Sequence, residues 1–308
     1  MAKVDLITGF LGAGKTTFIH KYLHHLRDRR VLIIENEFGS IGVDAGFLKD
    51  EGCPIEDLSG VCMCCKGRDQ FIAMLVRAAD CDRILVEPSG IYDVDEFFSV
   101  MEEPAVKACC EVGSVLAIVD ARRPEFLSAE SGYLMTTQLL AAGTVILSKA
   151  QHETPEAIEE TVAWLNELIR AQGGDRVLSD DVCAVDWDAL TDEDFIRLQN
   201  SGFRRAAHSR RAMNHGEIYD SFITAGRCEG EDDLRSRLHA LMADARCGNV
   251  IRAKGYLRDH DKNYYEVNCT RRELSVKPAP QVRRGVLVII GQNLNEEALN
   301  GVFSAEGR

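Results

Sequence analysis

GFLGAGKTT, residues 9–17, places a glycine-rich turn between an apolar strand and an amphipathic helix. The strand is KVDLITG, residues 3–9, and the helix carries Phe18, Ile19, Tyr22, Leu23 and Leu26 as one apolar stripe. The spacing is G-x-x-x-x-G-K-[ST], with strand, turn and helix in the order a phosphate-binding loop requires. Gly9, Gly12 and Gly14, with Ala13 among them, let the backbone fold tightly enough for its N–H groups to cradle phosphate oxygens. Lys15 is expected to reach the β- and γ-phosphates and Thr16 to offer its hydroxyl to Mg²⁺. Thr17 stands beside them at the helix start, where the dipole favours an anion. A chance glycine turn would lack these flanking elements.

Outward from that loop, apolar runs recur with helical stretches between them. VLIIENEFGS (31–40) ends in acids and glycine, and the segment after the second strand of such folds commonly senses the γ-phosphate and its Mg²⁺. Glu37 is a candidate ligand there for Mg²⁺ or another metal; a surface acid in a strand-end turn accounts for it equally well. RILVEPSG (83–90) is a buried strand with Glu87 at its carboxyl end, placed to hold the Mg²⁺ shell, and Gly90, whose amide can meet the γ-phosphate. SVLAIVD (114–120) and TVILSKA (144–150) complete the series. Helices are expected around 124–142 and over 154–171, the latter capped by Thr154. Strands alternating with helices imply an α/β fold: a P-loop parallel sheet with helices on both faces and ligands at the strand carboxyl ends. His20 and His24, four apart on the first helix, fall off its apolar stripe and read as a solvated face.

The chain has 308 residues, which suits two domains, and its 45% apolar and 28% charged content is ordinary for a soluble globular protein. No apolar run is long enough to cross a bilayer, and the start does not read as a signal peptide, so a cytoplasmic setting and no membrane partner are expected. Net charge is −13 and uneven: residues 204–308 hold 18 basic against 14 acidic side chains, the remainder 18 against 35. An acidic first part argues against nucleic acid as a partner.

GVCMCCKGR (60–68) crowds Cys62, Cys64 and Cys65 into four positions. With GFLGAGKTT, ENEFGSIGVD, EPSG, and IRAKGYL and VLVIIGQNLNEEAL further on, this set resembles the CobW-like P-loop GTPases, a metallochaperone family. The resemblance covers nearly the whole chain. It implies a protein that binds and hydrolyses GTP with Mg²⁺, carries a transition metal, zinc or cobalt, and delivers it to a metalloprotein client. Two departures stand out. Where the family has Asn-Lys-x-Asp to read guanine, this chain has Ser148, Lys149, Ala150 and Gln151. An Asp accepts from both guanine N1–H and the 2-amino group; Gln151 offers one carbonyl oxygen without the charge, which weakens guanine selectivity. A nucleotide-promiscuous ATPase is therefore the rival reading. The His-rich stretch of some relatives is also missing.

Three readings of the thiols compete. A disulfide is disfavoured in a reducing compartment and at such tight spacing. Inert burial, expected for Cys109, Cys110 and Cys183, fits poorly with the glycines and charges around this loop. Metal binding fits best: a short glycine-flanked loop can aim its sulfurs at one soft ion about 2.3 Å away, with Glu37 a candidate fourth ligand. An incomplete cage suits transfer. A metal buffer or sensor without productive turnover is the alternative outside enzyme chemistry.

The stretch 201–217 reads as a linker, giving domains over 1–203 and 204–308. The second is a small α+β domain, β-α-β-β-β-α, with Asn293 and Glu296 resembling a capping box at its last helix. It lacks a catalytic constellation of its own. A homo-oligomer is left open.

Overall fold

The computed structural model describes residues 1–36, 54–58, 67–124, 127–205, 218–280, 282 and 284–303. The chain divides into two compact units, Met1–Arg211 and Ala212–Arg308.

The first unit holds a seven-stranded sheet. Its strands are β1 (Ala2–Thr8), β2 (Val31–Glu35), β3 (Ile55–Asp57), β4 (Arg83–Glu87), β5 (Cys110–Asp120), β6 (Thr144–Ser148) and β7 (Val182–Cys183). The order is β3-β2-β4-β1-β5-β6-β7 and every pair is parallel. The central strands are apolar without a break because both faces are covered, the usual state of a parallel sheet. On one face Ile33, Leu85, Leu116, Ile118 and Ile146 pack with helices α1 (Lys15–His24) and α7 (Asp192–Gln199). On the other, Val4, Leu6, Ile84, Val86 and Ala117 pack with α2 (Arg68–Arg77), α3 (Val94–Met101), α5 (Ala129–Ala141) and α6 (Pro155–Ala171). The short α4 (Pro104–Lys107) lies between α3 and β5 in the chain. Thr154 caps α6 as the sequence implies, accepting from Ala157 N–H, and Thr191 with Asp194 forms a full capping box at the start of α7.

A buried ion pair interrupts this core. Asp5, fully buried in β1, is ion-paired with Arg83 of β4, which is 1% exposed. Asp5 also accepts from Tyr22 Oη at 3.2 Å and from Ser114 N–H at 2.8 Å. Arg83 reaches on to the Gln199 carbonyl. Three strands and two helices thus meet on one buried pair. A methyl group added at Gly113 would stand 2.2 Å from Asp5 Oδ1, so only glycine lets the carboxylate sit there.

The second unit is built on a six-stranded sheet. Its strands are β8 (Asp220–Thr224), β9 (Arg227–Cys228), β10 (Asn249–Asp259), β11 (Tyr264–Thr270), β12 (Leu274–Pro278) and β13 (Val286–Gln292). The order is β12-β11-β10-β13-β8, antiparallel throughout, with β9 added parallel to β10. Ala253, Leu257, Val267, Leu287 and Ile289 pack on α8 (Glu231–Ala243) and α9 (Glu296–Phe303) through Leu234, Leu238, Leu299 and Phe303. The cap of α9 differs from the sequence expectation. Asn295, not Asn293, accepts from Glu297 and Ala298 N–H, while Asn293 turns the chain at φ 53° two residues earlier.

Candidate nucleotide site

β1, β2, β4, β5 and β6 all end at one edge of the sheet, and the residues at those ends are Thr8, Glu35, Glu87, Asp120 and Ser148. The phosphate-loop candidates follow β1 directly. Gly9, Gly12 and Gly14 have φ of 151°, 78° and 100°, conformations that residues with a Cβ rarely adopt. Space enforces the first: a Cβ on Gly9 would lie 2.3 Å from the Ile118 carbonyl oxygen. Ala13 N–H closes the turn onto the Phe10 carbonyl at 3.1 Å. Lys15 is 6% exposed and folds back across its own loop, donating to the Gly9 carbonyl at 3.1 Å.

The next candidates meet the loop from β4. The Thr16 hydroxyl donates to Glu87 Oε1 at 2.9 Å. Gly90 lies against the loop backbone, where a Cβ would come within 2.5 Å of Leu11 N. Hydroxyl and carboxylate oxygens side by side are the donor set a hard divalent cation takes, so Thr16 and Glu87 fit Mg²⁺.

Two neighbours went unread in the sequence. Glu35, 2% exposed, is the register partner of Glu87 on β2. Asn36 donates its N–H to the Glu87 carbonyl at 2.9 Å and its Nδ2 to the Leu58 carbonyl at 3.0 Å. Leu58 N–H returns a bond to the Glu35 carbonyl at 2.9 Å. The signal was available: Glu35 and Asn36 close an apolar strand just as Glu87 does, but attention falls on Glu37, one residue further out.

At the far side of the sheet edge lie Ser148, Lys149 and Gln151. Ser148 is buried and donates to the Val119 carbonyl at 3.3 Å. Lys149 adopts a left-handed φ of 62° and donates to Asp120 Oδ2 at 2.6 Å. Asp120 accepts further from Arg122 Nε and Nη2, both at 3.0 Å. Burial pushes the Asp120 carboxyl up, yet the hydrogen bonds from Arg122 and Lys149 outweigh it and hold its pKa below the ordinary value. Gln151 is exposed on a 3₁₀ turn, Ala150–His152. A side chain in the open presents no preset acceptor to a base.

The metal candidates Glu37, Cys62, Cys64 and Cys65 lie outside the described residues. Among the described residues no group of three or more His, Cys, Asp or Glu could hold a metal ion. Burial pushes the Cys110 thiol up to about 12 and raises that of Cys183, which suits packing rather than ligation. No helix among the described residues is long and apolar enough to cross a membrane.

A parallel sheet with a glycine loop, lysine and threonine gathered at its carboxyl edge defines a P-loop nucleotide-binding protein. The chain belongs to the family described as CobW/HypB/UreG, nucleotide-binding domain, matched over residues 3–173, and residues 230–305 match the cobalamin synthesis protein cobW C-terminal domain. It is similar to the zinc chaperone YeiR of Escherichia coli, 32% identical over 58% of this chain and 54% of that protein. Zinc chaperone CobW of Pseudomonas aeruginosa is 32% identical over 50% of each. Zinc-regulated GTPase metalloprotein activator 1 of Schizosaccharomyces pombe is 26% identical over 64% of this chain and 51% of that protein. The chain spans about half the length of the curated relatives it matches.

Proposed function

We propose that the protein is a GTP-hydrolysing metallochaperone, which couples nucleotide state to the binding and transfer of a transition metal, zinc first and cobalt second. Gly9, Gly12, Ala13, Gly14, Lys15, Thr16 and Thr17 hold the phosphates; Thr16 and Glu87 hold Mg²⁺, which supplies Lewis-acid polarisation of the γ-phosphoryl group. Gly90 answers to the γ-phosphate, and Ser148, Lys149 and Gln151 border the base. Cys62, Cys64 and Cys65, with Glu37, carry the cargo ion, for which three relatives named for zinc are the support.

One observation carries the coupling. Glu87 is bonded through its carbonyl to Asn36, and Asn36 through its amide to Leu58, the last described residue before the cysteine segment. A change at the Glu87 carboxylate therefore has a bonded route to the base of the metal loop. By linkage, metal must change nucleotide affinity by the factor that nucleotide changes metal affinity.

The test is a pair of titrations of GTP analogue, with and without zinc, on the protein and on Cys64→Ala. A zinc-dependent shift in nucleotide affinity, lost in Cys64→Ala, is expected; identical affinities in all four would end the proposal. Unaided hydrolysis is expected to be slow, since no arginine finger is identified among the described residues. The exposed Gln151 favours a second reading, a nucleotide-promiscuous ATPase, which equal competition by ATP and GTP would establish. The working place is the cytoplasm, and the recipient is a metalloprotein client.

A further inference from the structure

The segment after β7 brings a side chain to the phosphate loop that no motif announces. Asp186 caps a 3₁₀ turn, Trp187–Ala189, accepting from Asp188 N–H at 3.0 Å, and Lys21 of α1 is ion-paired with Asp188. The turn is thereby fixed to the helix that begins at the loop. Trp187 stands edge-on to Phe18 of α1, with ring centroids 5.4 Å apart. Its far edge reaches the N-cap of α1: a Cβ on Gly14 would lie 3.3 Å from Trp187 Cη2 and 3.7 Å from Ser148 Cβ. Trp187 and Ser148 thus both lie beside Gly14. The indole N–H is covered, yet meets no acceptor among the described residues.

We infer that Trp187 is a binding residue for the nucleobase, forming the wall of the base pocket beside Ser148 and supplying affinity through its ring. This rests on the nucleotide reading above. Every purine has a π-face, so an aromatic wall is tolerant of base identity in a way a carboxylate is not. Contact of this kind does not depend on an Asp at position 151. Whatever Gln151 reads of the base edge, loss of Trp187 should weaken guanine and adenine nucleotides alike.

The test uses the full chain as Trp164→Phe, which leaves Trp187 the only tryptophan. GDP binding is first measured by equilibrium dialysis, and then acrylamide quenching is followed with and without saturating GDP. The inference expects GDP to protect Trp187 from quenching. Trp187→Ala should weaken GDP and ADP by a similar factor, about tenfold, and Trp187→Phe should restore most of it. A residue that only packs against Phe18 would give no protection. Binding of GDP with unchanged quenching overturns the inference alone; absence of any GDP binding overturns the nucleotide reading and this one with it.

Discussion

Thr16 and Glu87 are 71 residues apart in the chain and 2.9 Å apart in space, hydroxyl oxygen to carboxylate oxygen. The bond joins the first turn of α1 to the end of β4. It pre-positions two oxygens on one side of the phosphate loop, so that a cation arriving with nucleotide finds them already oriented.

Glu87→Gln keeps the shape and removes the charge. The Mg²⁺ concentration needed for half-maximal hydrolysis should rise by about 10–100-fold, the range typical of groups that tune a metal site. Unchanged Mg²⁺ dependence would remove Glu87 from the site.

Gly90→Ala tests the contact between the EPSG segment and the loop. The added methyl meets backbone at Leu11, which cannot rotate away. Overpacking of this kind costs about 1–3 kcal/mol. Thermal melting should fall by several degrees, and nucleotide affinity should fall further than stability alone explains.

Asn36→Ala cuts the route from Glu87 to Leu58 on its side-chain arm. About 1 kcal/mol of stability should be lost with that hydrogen bond. More telling, the zinc-dependent shift in nucleotide affinity should shrink towards unity while each ligand still binds. A full shift in this variant would place the coupling elsewhere.

Asp120 supplies the pH dependence. Its folded pKa lies below the ordinary 3.8, so its contribution is complete above the unfolded value and is lost as pH falls through the folded one. Below pH 3.8 the Lys149 and Arg122 bonds should weaken together. Acid melting curves of Asp120→Asn should show a smaller fall over that window than those of the unaltered protein.

Arg83→Met would strand the Asp5 carboxylate inside the sheet. Breaking a buried pair from one side costs about 3–5 kcal/mol, whereas replacing both partners with apolar groups is often near neutral. Chemical denaturation of Arg83→Met and of Asp5→Leu/Arg83→Met should therefore differ, with the double variant the more stable.

Much of this was readable in the chain. The parallel sheet follows from apolar runs separated by helical stretches, because burial on both faces removes the polar alternation. The edge strands β3 and β7 did not announce themselves, being three and two residues long. No periodicity can show over so short a run. The loop glycines and Lys15 were legible from spacing, since each is demanded by backbone conformation. Asn36 was not, because its importance lies in two carbonyls that only folding brings within reach. Trp187 was hidden for the same reason: it enters the site from a segment nearly the length of the unit away. The capping asparagine of α9 slipped by two positions, from Asn293 to Asn295, since Glu296 stands three residues after the first and directly after the second, and only backbone geometry tells them apart.

Gly9 rests on the Ile118 carbonyl, and Gly90 presses on Leu11 from the opposite quarter. A loop gripped on two sides by main chain has no slack to travel. Whatever message nucleotide turnover sends must leave through the strand ends that surround the loop, with the loop itself serving as a stationary anvil.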